Sequence, residues 1–215
     1  MDQKQALAAL KKLKETSPKK NFKQGIDLII TFKDIDMKKT DNQLTLFANV
    51  PHPPKEFKIC ALVGPEMKEE AKPADKVVFL DEFERYKNDK KASKKLSNEF
   101  DFFVAQSNLM VQVAAAFGRI LGPKGKMPNP KAGGVVLPKT NLKPIVDKLK
   151  RTIKLTSRNT LMVQCSIGKE DMDENKIVEN AVTIYNQVLH AMPQEKNNIK
   201  EVMLKLTMSK PVKVE

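Results

Sequence analysis

The stretch GRILGPKGKMPNPKAGG, residues 118–134, sets how the rest of the chain is read. It holds five of the eight glycines and three of the thirteen prolines, so turns rather than a repeating element shape its backbone. It carries Arg119, Lys124, Lys126 and Lys131 and no acid. Between Asp101 and Asp147 no other Asp or Glu occurs, while Lys139 and Lys143 raise the bases there to six. A turn-rich loop with several cations and no anion suits a polyanion, and a solvated corner accounts for the same facts equally well.

Upstream of this stretch, Leu109, Met110, Val113, Ala114, Phe117, Ile120 and Leu121 fall at helical spacing after Ser107. Three short apolar runs, residues 57–63, 76–80 and 100–105, read as buried strands. Residues 66–72 and 81–98 between them read as helices, the second broken near Asn88. Downstream, a helix is expected over 141–150, where Pro144 fits only the first turn. Strands alternating with helices predict a small α/β layer with a mainly parallel sheet. The rhythm differs outside it. Asp2 caps an expected helix over 3–15 with Ala6, Leu7, Leu10 and Leu13 on one face. Alternating runs at 26–32 and 44–50, separated by a polar turn at Thr40–Asn42, are expected to pair. PHPPKE at 51–56 is a stiff connector and a candidate boundary. Beyond 151, runs at 152–157 and 161–167 suggest a hairpin around Arg158 and Asn159. Asp173 then caps an amphipathic helix stopped by Pro193, and a last strand covers 199–208. An antiparallel pattern on both sides of an α/β middle predicts a two-domain α/β fold. Residues 1–55 and 151–215 would form a discontinuous domain, and 56–150 an insert.

Composition bounds the function. The 215 residues are 40% hydrophobic and 30% charged, enough to bury a core, and the net charge of +13 points to nucleic acid or an anionic surface. Residues 1–55 carry +5, 56–150 carry +6 and 151–215 carry +2, so charge alone does not say which part grips a polyanion. No 18-residue apolar run exists, so no membrane span is expected. The N-terminus lacks an apolar core with a cleavage site and reads as mature sequence. Cys60 and Cys165 sit alone in apolar runs and read as buried thiols in a reducing, cytoplasmic setting. His52 and His190 offer no metal-ligand spacing, and neither metal nor cofactor is expected. GRILGPKGK invites comparison with a phosphate loop. However, Gly118 is too far from Gly125-Lys126, Met127 stands where a hydroxyl is needed, and the segment follows a helix. A nucleotide-handling enzyme built on residues 118–126 is the disfavoured alternative.

A second distinctive stretch is LKLTMSKPVKV, residues 204–214. Its Lys205, Thr207, Met208, Ser209 and Lys210 come together where the last strand ends. Against an ordinary strand terminus stands an RNA reading. In it Thr207 hydrogen-bonds backbone or ribose, Met208 touches a base or ribose, and Lys210 meets a phosphate.

LGPKGKMPNPKAGGVV, residues 121–136, resembles the diagnostic segment of the large-subunit ribosomal protein family numbered one, the family of the mobile stalk beside the tRNA exit site. NFKQGIDLII at 21–30, IGKEDM at 167–172 and LTMSKPVKV at 206–214 resemble the same family in its archaeal-like form. The likeness spans essentially the whole chain and keeps the order of its elements. It implies a split antiparallel α/β sandwich interrupted by a Rossmann-like three-layer insert, without enzymatic activity, monomeric when free of the ribosome. It implies binding of large-subunit rRNA at the stalk, help in releasing deacylated exit-site tRNA, and repression of the chain's own mRNA through an rRNA-like element. Residue by residue, Phe22, next to Lys23, matches the aromatic at the RNA contact, and Asp27 an acidic position in the same strand. Thr207 and Met208 match the first two members of a Thr-Met-Gly contact triad. Ser209 departs from the usual glycine, and its Cβ restricts positive φ. Arg158 and Lys169 match the region flanking the RNA. Arg119, Lys124, Lys126 and Lys131 are expected to form a secondary RNA contact or a hinge loop near the domain junction.

Overall fold

Alternation and helical spacing place the elements, and the faces that must be buried together decide their partners. The computed structural model describes residues 1–18, 20–35, 43–157 and 160–214. It divides into two compact units, one joining Met1–Lys55 to Thr152–Glu215 and the other being Glu56–Arg151. Lys19, the turn at 40–42, Arg158 and Asn159 lie outside the described residues.

The chain opens with α1 (Gln3–Thr16), which buries Ala6, Leu10 and Leu13 of the expected stripe and adds Ala9, while Leu7 is only half-buried. At its start Gln5 Oε1 accepts from the Asp2 backbone N–H at 3.0 Å. β1 (Gly25–Phe32) alternates strictly, with Ile26, Leu28, Ile30 and Phe32 buried. β2 (Leu44–Asn49) follows.

The second unit begins with β3 (Ile59–Val63), buried along its whole length, as a central strand of a parallel sheet must be. Next come β4 (Lys76–Phe79), α2 (Phe83–Asn88), α3 (Lys90–Glu99), β5 (Phe102–Gln106), α4 (Met110–Leu121), β6 (Val135–Val136) and α5 (Lys143–Leu149). The sheet order is β4-β3-β5-β6, all parallel. Asp89 ends α2 and caps α3, accepting from Lys91 N and Ala92 N, and so produces the break foreseen near Asn88. Residues 66–72 form a 3-10 turn at Pro65–Met67 and further turns rather than the expected helix, since Pro73 disfavours a helical Lys72. Phe83 and Phe117, with ring centroids 5.5 Å apart, and Phe100 and Phe103, at 6.4 Å, meet edge to face in this unit's core.

The chain then returns to the first unit with β7 (Thr152–Ser157), β8 (Met162–Lys169), α6 (Glu174–Ala191), β9 (Ile199–Leu206) and β10 (Val212–Lys213). The main sheet runs β10-β9-β1-β8, all antiparallel, and β2 pairs with β7 in a sheet of two. This corrects both expected hairpins. β1 lies between β9 and β8, and β2 takes β7 as its hydrogen-bonded partner. Alternation fixes which face of a strand is buried but is silent about its neighbour. Here α6 packs on β2 and β8 and meets α1, so burying its stripe draws on strands from both halves of the chain. Asn180, fully buried on α6, fastens the Pro-rich connector: its Oδ1 accepts from His52 N at 3.1 Å, and its Nδ2 donates to Ile167 O at 2.8 Å. The α/β class read from the sequence, antiparallel in the split part and parallel in the insert, is the class observed.

Candidate nucleic-acid interface

In the main sheet Gly25 of β1 pairs with Lys169 of β8, and Ile26 pairs with Leu206 of β9. Antiparallel order therefore gathers three segments at one end of the sheet: residues 20–24, 169–171 and 207–210. Backbone and side-chain bonds lock them together. Gly25 N donates to Thr207 Oγ1 at 3.1 Å, and Thr207 N donates to Gly25 O at 3.1 Å. The Gln24 side chain, 1% exposed, accepts from Met208 N through Oε1 at 3.1 Å, and Gln24 O accepts from Glu170 N at 2.9 Å. On this framework Phe22 and Met208 stand 51% and 61% exposed, large apolar groups that a folded chain ordinarily covers. Lys23, Lys169 and Lys210 surround them, all exposed. Lys23 Nζ lies 2.6 Å from Asp171 Oδ2 at an open cleft of about 390 Å³ lined by Lys20, Asn21, Phe22, Lys23, Glu170 and Asp171.

Asp27 lies farther along β1 on the face opposite the buried Ile26 and Leu28, and its carboxylate accepts from Gln164 Nε2 at 3.1 Å. Lys205 is its cross-strand neighbour on β9. Ser209 replaces the expected glycine without strain, for it is not among the residues of positive φ. Its N–H donates to Leu206 O at 3.2 Å and its Oγ accepts from Leu206 N at 3.0 Å, closing a tight turn that carries Met208 outward. The structure thus brings together Phe22, Lys23, Lys169, Thr207, Met208, Ser209 and Lys210, with Asp27 and Lys205 on the adjoining strands. Arg158 lies outside the described residues. Sequence reasoning passed over Gln24, Lys20, Glu170 and Asp171. A lone Gln before a strand and an acid pair in a turn carry no signal until the fold brings them to the same place.

The Gly/Pro/Lys stretch belongs to the other unit, and its architecture is that of a helix terminus. Gly125 N donates to Gly122 O at 2.9 Å and Lys126 N to Leu121 O at 3.0 Å, with Gly125 at φ +62°. This is a Schellman cap closing α4, and it explains the glycine. Lys126 Nζ donates to Ser97 O at 2.9 Å and to Phe100 O at 2.7 Å, the carbonyls at the end of α3. Lys124 Nζ donates to Ser97 Oγ at 2.7 Å and also to Asn98 Oδ1. The carboxyl ends of two helices meet these lysines, and helix C-termini attract cations and repel acids. That accounts for the cations at 124 and 126 in physical terms. Gly134 runs so close to its neighbours that a Cβ would lie 3.1 Å from Asn129 N and from Phe103 O, where the chain enters β6. Arg119 and Lys131 are exposed.

The same geometry bears on the phosphate-loop alternative. Such a loop presents a helix N-terminus to phosphate, whereas residues 122–126 follow the C-terminus of α4. The sheet's order reverses between β3 and β5, where an open α/β sheet offers its ligand crevice. There Gln106, fully buried, accepts from Gly64 N at 3.0 Å and donates to Glu66 Oε1 at 2.9 Å, so a side-chain amide occupies the switch point.

The chain is 35% identical to the large ribosomal subunit protein uL1 of Thermococcus kodakarensis, over all of this chain and 98% of that protein. It is 36% identical to uL1 of Thermofilum pendens, over 96% of this chain and 91% of the relative. With uL1 of Methanothermobacter thermautotrophicus it shares 35%, over 99% of each. Residues 11–210 match the profile described as the Ribosomal protein L1p/L10e family, and the chain belongs to that family.

Proposed function

We propose that this chain is a constituent of the large ribosomal subunit that binds a folded element of large-subunit rRNA with the strand-end surface of its discontinuous unit. The observation that carries the reading is the exposure of Phe22 and Met208 on a framework fixed by the buried Gln24, amid Lys23, Lys169 and Lys210. Exposed apolar groups held rigidly among cations suit the base and ribose surface of a structured RNA, with lysines supplying phosphate contacts. Thr207 shapes the turn through Gly25, Ser209 closes it, and Asp27 and Lys205 add a polar pair for register. The relatives are large ribosomal subunit proteins, which supports placement in the large subunit, and with it a cytoplasmic setting. An action at the exit site on deacylated tRNA, and repression of the chain's own mRNA through an rRNA-like element, follow from the family resemblance and extend the same binding surface. No catalytic step belongs to this reading; in the insert, Lys124 and Lys126 are engaged at the end of α3 and the Gln106 amide occupies the switch point.

The test is a salt-titrated binding assay comparing the rRNA stalk fragment with an unrelated folded RNA of equal length. Preference for the stalk fragment, reduced by Phe22→Ala and by Met208→Ala, is the expected result. Equal affinity for both RNAs, falling steeply with salt and indifferent to those changes, describes a generic polycation and ends the reading. The same assay with the chain's own leader mRNA tests repression.

A further inference from the structure

The acidic turn at residues 170–171 takes no part in the RNA contacts just described, yet it sits in their midst. Lys23 Nζ and Asp171 Oδ2 are 2.6 Å apart, with side chains 73% and 47% exposed. An exposed ion pair of this kind is weak and exchangeable. Its placement is nonetheless fixed by the backbone. Glu170 N donates to Gln24 O at 2.9 Å, and Met172 N donates to Lys169 O at 3.0 Å, so the turn carrying Asp171 is tied beside the segment carrying Lys23. Both residues line the cleft that also includes Lys20, Asn21 and Phe22.

Resting on the RNA-binding reading above, we propose that Asp171 holds the place of an RNA backbone phosphate on Lys23, and that binding exchanges carboxylate for phosphate, seated between Lys20 and Lys23 in this cleft. Their shared hydrogen bond keeps the Asp171 carboxyl below, and the Lys23 ammonium above, their ordinary pKa values, so at neutral pH the exchange is ion for ion. Phe22 is exposed and lines the same cleft as Lys23, so one nucleotide can use the cation and the ring together. The exchange leaves a mark on the salt dependence. Each phosphate neutralised releases counterions from the RNA, but a carboxylate set free takes up a cation in return. The wild-type slope is therefore shallower than its phosphate contacts alone would give, and part of the affinity goes to opening the pair.

The experiment is a double-mutant cycle of Asp171→Asn and Lys23→Gln in the full chain, titrated with salt against the rRNA stalk fragment and an equal-length control RNA. Asp171→Asn is expected to tighten binding to the stalk fragment roughly two- to fivefold at low salt, the scale of an exposed pair. It should also steepen the log–log salt slope by up to about 0.9. In the Lys23→Gln background the same change should gain little, because the phosphate's partner is gone. Weaker or unchanged binding by Asp171→Asn overturns the exchange and makes Asp171 a positioning residue for Lys23. A gain that persists undiminished without Lys23 also overturns it, as that is general charge. Wild-type chain that does not prefer the stalk fragment removes the parent reading too, whereas preference with no Asp171 effect removes this inference alone. Thermal melts of each variant verify that the fold is retained.

Discussion

Thr207 shows how one hydroxyl can serve both fold and site. Its Oγ1 accepts from Gly25 N at 3.1 Å and thereby joins the end of β9 to the start of β1. Thr207→Val keeps the branched shape and removes the acceptor, so it should destabilise the chain by about 1 kcal/mol in denaturant unfolding. It should also weaken stalk-RNA binding, because the turn presenting Met208 loosens, while Thr207→Ser should keep both properties. Equal unfolding midpoints for Val and wild type would mean that water replaces the bond at no loss. The two cysteines make a different point. Burial pushes the Cys60 and Cys165 thiols up to about 12; Lys76 opposes the rise at Cys60, where Glu82 and Glu99 add to it, and Asp27 adds to it at Cys165. Both should resist alkylation at pH 8 in the native chain and react once it is unfolded. The sign of the pH effect follows. In the unfolded chain these thiols ionise near 9.0 and in the fold only near 12, so their contribution is intact below about pH 9 and is lost as pH rises toward 12. Unfolding midpoints measured across that range should fall, and Cys60→Ala with Cys165→Ala should flatten the decline.

At the scale of elements, the lysine-rich stretch works as a clasp. Lys126 reaches two carbonyls at the end of α3, and the Schellman cap holds Lys126 in place at the end of α4. Lys126→Met removes one ammonium and both of its hydrogen bonds to α3 carbonyls, and the expected loss is about 1–3 kcal/mol of stability. Because Lys126 is committed to protein carbonyls, the salt slope of RNA binding should stay unchanged in that variant at matched folded fraction. Joint neutralisation of Arg119 and Lys131 is the complementary experiment. A slope that falls in the double variant assigns those two residues to phosphate, and one that falls in Lys126→Met shows that the clasp opens on the RNA. The strands teach a similar lesson. Alternation in residues 26–32 and 44–50 marked them as strands, yet their partners are β9 and β8 in one case and β7 in the other. Nearness in sequence favours a hairpin only when no other element competes for the edges, and here α6 must cover strands from both halves of the chain.

For the whole molecule, we propose that RNA recognition resides in the discontinuous unit. The strand ends that carry it all belong to Met1–Lys55 and Thr152–Glu215, and Asn49 already pairs with Thr152 across β2 and β7. A chain in which residues 56–151 are replaced by a short Gly/Ser linker should therefore fold cooperatively. It should bind the stalk fragment within about tenfold of the full chain, a difference of about 1.4 kcal/mol. Circular dichroism and the same binding assay check this, and a folded but non-binding product would move recognition to the insert.

The sequence by itself determined most of the element types, though not the turns at 66–72, together with the α/β class, the family and the segments of the candidate site. Those properties rest on local periodicity and on short runs of residue identity, both of which survive without knowledge of what lies across the sheet. Phe22, Thr207 and Met208 were legible in this way, and so were the glycines at the end of α4. Only the tertiary structure decided that Gln24 is the buried hub of the site, that Asp171 faces Lys23, and that Lys124 and Lys126 grip the end of α3. Each of these is a contact between residues 26 or more positions apart, created when strands and helix ends are packed together, and no local pattern encodes the partner of a side chain across such a distance.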